Sequence, residues 1–289
     1  MDKIDVETRG APSDLKVANG EVVWRHVEAE YIDVVDDILD TLAPDEPYAY
    51  TVPPTPVGDG GIPDQQIMTT RAGIRAAYEN MHRFTTVRGM QAISEIRGDW
   101  YVFLYGVGEG LMKSTGQIVH TPTAIIFPTM GKSGITGELF WTRSAEGAPY
   151  TAGKTGLLAA EVAILELHER LLGFLRAGDT AGIVGLTHPG AQTAVRDYVH
   201  DTGTLVALHS ASEMKAHLDA FFTRFEVLDL SLVNRLASDW FVFAELLWVV
   251  REKSAPGRTF KFYTAEQAEV RPDGLIAARI GHGTDLEPA

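Results

Sequence analysis

The chain carries one pattern twice, and that repetition limits it to folds in which half of it makes a complete unit. Asp99-Trp100-Tyr101-Val102-Phe103 returns 140 residues later as Asp239-Trp240-Phe241-Val242-Phe243, close to half of the 289-residue length. Each copy continues as an apolar strand pattern, a polar turn and a second strand, and then reaches Gly134-Ile135 or Gly274-Leu275. Upstream, Arg83-Phe84 and Arg224-Phe225 each close a helical stretch. Two copies are too few to stack as a solenoid, so each must fold around its own core.

Composition allows two such cores. At 45% apolar and 9% aromatic residues the chain reads as globular, and its length suits two domains of ordinary size. The opening residues 1–14 mix charges without an apolar run, and the longest apolar run, Trp240 to Val250, is broken by Glu245. Neither a signal peptide nor a membrane span is expected. No cysteine is present, which excludes disulfides and thiolate chemistry and suits a reducing compartment, so a cytoplasmic protein is expected. A formal charge of −14 disfavours nucleic acid and anionic membranes, whose recognition needs clustered Lys and Arg.

Periodicity gives each copy the same plan. In copy one, Tyr31, Val34, Val35, Ile38, Leu39 and Leu42 recur at helical spacing, which predicts an amphipathic helix over 26–42 with Glu30, Asp33, Asp37 and Asp40 on a wet face. Residues 43–68 hold six prolines and three glycines together with Tyr48, Tyr50 and Ile62, which predicts an ordered lid. A second helix is expected over 70–84 with Thr69 or Thr70 as N-cap. Strands over 89–97, 100–111, 117–130 and 133–143 follow, joined by short polar turns as in an antiparallel meander. Residues 144–156, rich in Gly, Ala, Ser and Thr, place the boundary between a first domain over 15–145 and a second over 156–289. Copy two repeats the order, with helices over 157–177, after Asp179 and over 212–224, then four strands from 227 to 282. Helices first and strands afterwards is an α+β arrangement.

The order of these elements, with Asp99-Trp100, Thr115-Gly116-Gln117 and Gly134-Ile135 in copy one and Ala177-Gly178-Asp179, Asp239-Trp240 and Asp273-Gly274-Leu275 in copy two, resembles the nuclear-transport-factor-two-like superfamily. Ketosteroid isomerase, scytalone dehydratase and the SnoaL-like polyketide cyclases belong to it. The resemblance covers roughly residues 20–143 and 157–285. It implies two tandem cone-shaped α+β barrels, each with N-terminal helices, a curved antiparallel sheet and a pocket inside. It also implies chemistry without metal or redox cofactor, and pairing through the sheets, as in a homo-oligomer. One fold hosts many reactions, so the reaction is not implied.

Copy one holds the richer set of candidate groups. Strand alternation puts Tyr101, Phe103, Tyr105, Val107 and Glu109 on one face, and a hairpin turn at 113–115 sets Glu109 opposite His120. His120 is expected as base or acid near neutral pH, with His82 as the second proton carrier. Tyr31, Tyr50 and Tyr105 are expected to hold developing oxyanions. Tyr48, Tyr78, Glu109 and Trp141 complete the expected substrate contacts. The resemblance implies a similar use of Tyr from the first helix and loop and His from the later helix and strand. Read alone, the same residues are open to plainer roles: a strand histidine in a structural hydrogen bond, tyrosines as core aromatics, Glu109 and Glu138 as solvated rim. Copy two replaces Tyr105 by Glu245 and the His82 region by Phe221-Phe222-Thr223, so it is expected as the divergent copy, with His168, Tyr198, Glu245 and Tyr263 available to a second pocket.

Three motifs lead nowhere. Gly106-Val107-Gly108-Glu109-Gly110 lies inside a strand pattern, residues 148–155 only approximate a phosphate loop, and His168-Glu169 is followed by Leu172 where a zinc helix needs histidine. The expected function is a cofactor-independent lyase or dehydratase acting by acid–base chemistry on a hydrophobic, aromatic or polycyclic small molecule. A lignin-derived diarylpropane diol, losing formaldehyde, is one substrate of that type. The competing expectation is a noncatalytic binding or oligomerisation module.

Overall fold

The computed structural model describes residues 14–54, 63–143, 157–200 and 202–289. The central part of the expected lid, the 144–156 linker and the phosphate-loop-like stretch lie outside the described residues. No helix among the described residues is long and apolar enough to cross a membrane.

Copy one opens with α1 (Asp14–Glu30) and the short α2 (Val35–Leu39). The single helix expected over 26–42 is therefore two, broken where Asp33 takes a left-handed φ of 61°. Strands β1 (Ala49–Val52) and β2 (Gln66–Met68) form inside the Pro-rich stretch, paired with each other. Helix α3 (Arg71–Phe84) starts as expected at Thr70, whose hydroxyl accepts from the Gly73 N–H. The meander follows as β3 (Thr85–Arg97), β4 (Tyr101–Met112), β5 (Ile118–Pro128) and β6 (Gly137–Thr142). Copy two repeats this with α4 (Leu157–Ala177), α5 (Thr180–Gly185), β7 (Thr187–Arg196), β8 (Leu205–Leu208), α6 (Ala211–Arg224), β9 (Phe225–Ala237), β10 (Phe241–Glu252), β11 (Thr259–Val270), β12 (Ile276–Gly283) and the terminal β13 (Glu287–Pro288). Strands β1, β2, β7 and β8 escape the sequence reading because each is four residues or fewer or follows a helix without clean alternation.

The sheets are mixed rather than antiparallel throughout. Copy one runs β2-β1-β6-β5-β4-β3 and copy two β8-β7-β12-β11-β10-β9. In each the early strand joins the last long strand in parallel, β1 on β6 and β7 on β12. The two ends of each sheet do not pair among the described residues, so the sheets are open cones and not closed barrels. Register shifts in β3 bend the sheet of copy one, and shifts between β9 and β10 bend that of copy two.

Alternation along the strands divides the core. Val102, Leu104, Ile125 and Phe127 face the helices of copy one and pack on Val23, Val27, Ile38, Leu39, Ile74 and Tyr78. The opposite face of the same strands, with Tyr101, Phe103, Tyr105, Ile126, Leu139 and Trp141, packs against Phe241, Phe243, Ala265 and Ile280 of copy two. Phe103 and Phe243, the repeated phenylalanines, stack at 4.1 Å. Polar groups lock this seam: Tyr101 donates to Glu245 at 3.0 Å, Trp141 Nε1 donates to Glu269 at 2.5 Å, and Gln267 donates to the Ala124 carbonyl at 3.0 Å. The sheet faces through which the resemblance implied pairing thus meet within one chain, copy against copy.

Candidate active site

Between the helices and the inner face of the copy-one sheet lies a buried polar cluster. Helix α1 buries Val22, Val23, His26 and Val27 and carries Glu30 one turn after His26. Its partner groups arrive from the far side of the core, Tyr78 from α3 and Tyr50 and Glu138 from the parallel pair β1/β6, where the two residues lie side by side. The Tyr78 phenol oxygen is the centre. It lies 2.7 Å from Glu30 Oε1, 2.8 Å from Glu138 Oε2 and 3.1 Å from His26 Nε2.

Hydrogen accounting fixes the protonation. Thr41 donates its hydroxyl to the Ile38 carbonyl at 2.6 Å, so at 2.5 Å from His26 Nδ1 it accepts, and Nδ1 carries a hydrogen. The single phenolic hydrogen of Tyr78 serves only one carboxylate. A protonated Nε2 donates to Tyr78 or to Glu138, 3.5 Å away, and the cluster is fully satisfied when, in addition, one carboxyl is protonated and donates to Tyr78 and the phenol donates to the other.

The electrostatics agree. Burial pushes the Glu30 carboxyl up and the Glu138 charge adds to this, against the opposing pull of His26 and Tyr78, and it reaches about 7. Burial works to lower His26, but the hydrogen bond to Glu138 and the charges of Glu30 and Glu138 outweigh it, and its pKa is raised. Burial, reinforced by both carboxylates, holds Tyr50 and Tyr78 well above the usual phenol range, so both remain neutral donors. Glu30 keeps 18% of its side chain exposed and is the most exposed member of the cluster.

His26, Glu30 and Glu138 are also the group of ligand atoms able to hold a metal ion among the described residues, lying within 4.8 Å of one another. Here they converge on the Tyr78 oxygen instead, so an ion in that place must displace a phenol hydrogen-bonded to all three.

Of the residues expected from sequence, Tyr50 and Tyr78 meet in this cluster. The others lie elsewhere. The expected register is present, with Glu109 opposite His120, but His120 is exposed and on the face that turns away from the helices. Glu109 pairs with Arg88 at 3.3 Å. Tyr105 and Trp141 belong to the seam between the copies, as does Glu245. Tyr48 donates to the Ala43 carbonyl at 2.6 Å and holds the chain into β1. Tyr31 is half-buried at the edge of the core. His82 faces Asp33 at 2.8 Å, with Lys113 beside it, and burial lowers its pKa. His26 and Glu30 were not among the site residues expected from sequence, and Glu138, weighed there against a solvated rim position, is buried. The spacing Val22, Val23, His26, Val27, Glu30 is an i, i+4 stripe that carries the signal.

Copy two presents a different interior. A cavity of about 60 Å³ there is lined by Arg196, Tyr198, His217, Trp248, Arg279 and His282 among others. His168 lies in a smaller adjoining void with Glu266 and Arg279, and burial pushes it down to about 4.

No protein-family model and no curated protein matches the chain. Solved structures do. An LEH-like epoxide hydrolase from M. tuberculosis aligns at 12% identity over 43% of this chain and 84% of its own, with a TM-score of 0.36. A putative polyketide cyclase from Xanthomonas campestris aligns at 12% identity over 43% and 91%, with a TM-score of 0.36. An NTF2-like protein from Burkholderia xenovorans aligns at 12% over 44% and 91%, with a TM-score of 0.34. Each covers about the share of the chain that one copy takes.

Proposed function

We propose that the chain is a cofactor-independent lyase or dehydratase that processes a hydrophobic, aromatic, hydroxylated or carbonyl-bearing small molecule in copy one. One observation carries this reading: a carboxyl whose pKa is lifted to about 7 shares a phenol with a second carboxylate and a histidine inside an apolar shell. Pairs of titratable groups pushed apart by their surroundings make an acid and a base available at the same pH. Ionised Glu30, the member nearest the exterior, takes a proton from the substrate. Tyr78 relays charge between Glu30, Glu138 and His26, and the neutral hydroxyl of Tyr50 is a donor for an oxygen that gains charge. The proton returns from the same network to the departing hydroxyl or to the carbon left by a broken carbon–carbon bond. The reading moves the chemistry from His120 and Tyr105 to His26, Glu30, Tyr78 and Glu138, with Tyr50 kept.

A panel of aryl β-hydroxy ketones and diarylpropane 1,3-diols, assayed for enone and for formaldehyde with chelator-treated protein, tests it. Turnover is expected, falling on the order of 10²- to 10⁴-fold in Glu138→Gln and unchanged in His120→Ala. Turnover that survives Glu138→Gln, or needs added metal, contradicts the assignment. Saturable binding of panel members with no turnover favours the binding-module reading.

A further inference from the structure

The positions that hold the cluster in copy one are refilled in copy two, and strand register fixes the correspondence. Tyr50 lies beside Glu138 in the β1/β6 pair, and Thr193 lies beside Arg279 in the β7/β12 pair. Helices α3 and α6 start from the equivalent caps Thr70 and Ser210, so Tyr78 is matched by Leu218 and His82 by Phe222. Two phenols have become Thr and Leu, and a carboxylate has become a guanidinium.

The side chains that shrink are found where space opens. Thr193, Leu218 and Arg279 all line the 60 Å³ cavity of copy two. That is room for on the order of four waters, or ~120 Å³ of liquid, the bulk of one substituted aromatic ring. One wall is aromatic, with Trp248 and Phe262 at 5.8 Å and nearly parallel. The other end carries Arg196 and Arg279, each only 6% exposed.

The charges around these two cations leave a place for an anion. Arg279 is held by Glu266 at 2.5 Å within the cavity wall. Arg196 donates to the Gly283 carbonyl at 2.8 Å and pairs with Asp285, whose side chain is 82% exposed, while its Nε–H has no acceptor. His282 is pushed down to about 4 by burial and by Arg196, and burial lowers His217, so both stay neutral near pH 7. The cavity lining thus holds two guanidinium groups and one carboxylate, with Asp285 in water and the buried Asp197 behind His217. A guanidinium beside an apolar cavity is matched best by a carboxylate.

We propose that copy two is a separate binding site for a small carboxylate with a single-ring apolar body, its oxygens on Arg196 and Arg279 and its ring against Trp248 and Phe262. This site is distinct from the copy-one cluster and does not depend on the reaction proposed there.

Calorimetric titration of the full chain with benzoate tests it, with benzyl alcohol and benzylamine as comparators at fixed ionic strength. One benzoate per chain is expected, bound at least about tenfold more tightly than either comparator, the difference one well-placed charged hydrogen bond makes. The double variant Thr193→Tyr/Leu218→Tyr restores the copy-one side chains, fills the cavity and is expected to weaken benzoate at least about tenfold. In the unaltered protein, benzoate is expected to shift the indole N–H resonance of Trp248 but not those of Trp100 and Trp240, which lie in the seam. Equal affinity for benzyl alcohol, unchanged affinity in a folded double variant, or an unmoved Trp248 resonance overturns the proposal.

Discussion

Tyr78 has one hydrogen and two carboxylates within 2.8 Å, and with burial holding the Glu30 carboxyl up at about 7 the role proposed for the cluster is that of a proton store. Its sign on stability follows directly. Glu30 and His26 both sit above their ordinary values of 4.5 and 6.5 in the folded chain. Such groups lend stability that is complete below the unfolded pKa and is lost as pH rises through the folded one, about 7 for Glu30. The denaturation midpoint is therefore expected to fall between pH 5 and 8, and Glu30→Gln is expected to flatten that fall. A slope unchanged in Glu30→Gln contradicts the assignment. Tyr50 and Tyr78 were legible in the sequence because aromatic residues beside a lid and on a helix face have few roles. His26 and Glu30 were not, because a helix taken to start at His26 rotates Glu30 onto the wet side. The structure starts α1 at Asp14 and ends it at Glu30.

Elements decide which side chains meet. Period-two alternation correctly grouped Tyr101, Phe103 and Tyr105 on one face of β4, and the Glu109–His120 register holds. Alternation does not say which face is which. Both faces of this strand are apolar, since one meets the helices and the other meets the second copy, so the polar-out signal that normally settles the matter is missing. The expected Tyr105 and His120 therefore lie on the face turned away from the helices and from the His26–Tyr78 cluster. The parallel pair β1/β6 is what brings Tyr50 to Glu138, and it depends on Gly137. A Cβ added there would overlap the Ala49 carbonyl, the backbone of the paired strand. Gly137→Ala is expected to cost about 1–3 kcal/mol in chemical denaturation and to weaken the coupling of Tyr50 to Glu138. A variant as stable as the parent would mean that β1 is not held as described.

For the whole molecule, the repeat motif has two uses at once. The Asp-Trp-aromatic-Val-Phe stretches lead into β4 and β10, each next to the edge strand of its sheet, and their final phenylalanines stack on each other across the seam at 4.1 Å. A repeated sequence therefore made both copies visible, the resemblance implied pairing through their sheets, and the structure places those sheets face to face. Phe243 is fully buried there. Phe243→Ala is expected to lower stability by about 3–5 kcal/mol in urea denaturation and to separate the unfolding of the two copies. A loss below about 1 kcal/mol would mean the seam adds little to stability. With this seam as common support the copies have diverged inside, one to a carboxylate and phenol cluster, the other to an open cavity with two guanidinium groups. The central claim is that copy one stores a proton near neutral pH. Carbon-13 detected titration of the carboxyl groups in the intact chain tests it most directly. One carboxyl is expected to titrate near pH 7 and to vanish in Glu30→Gln, whereas carboxyls that all titrate below about pH 5 would contradict the account.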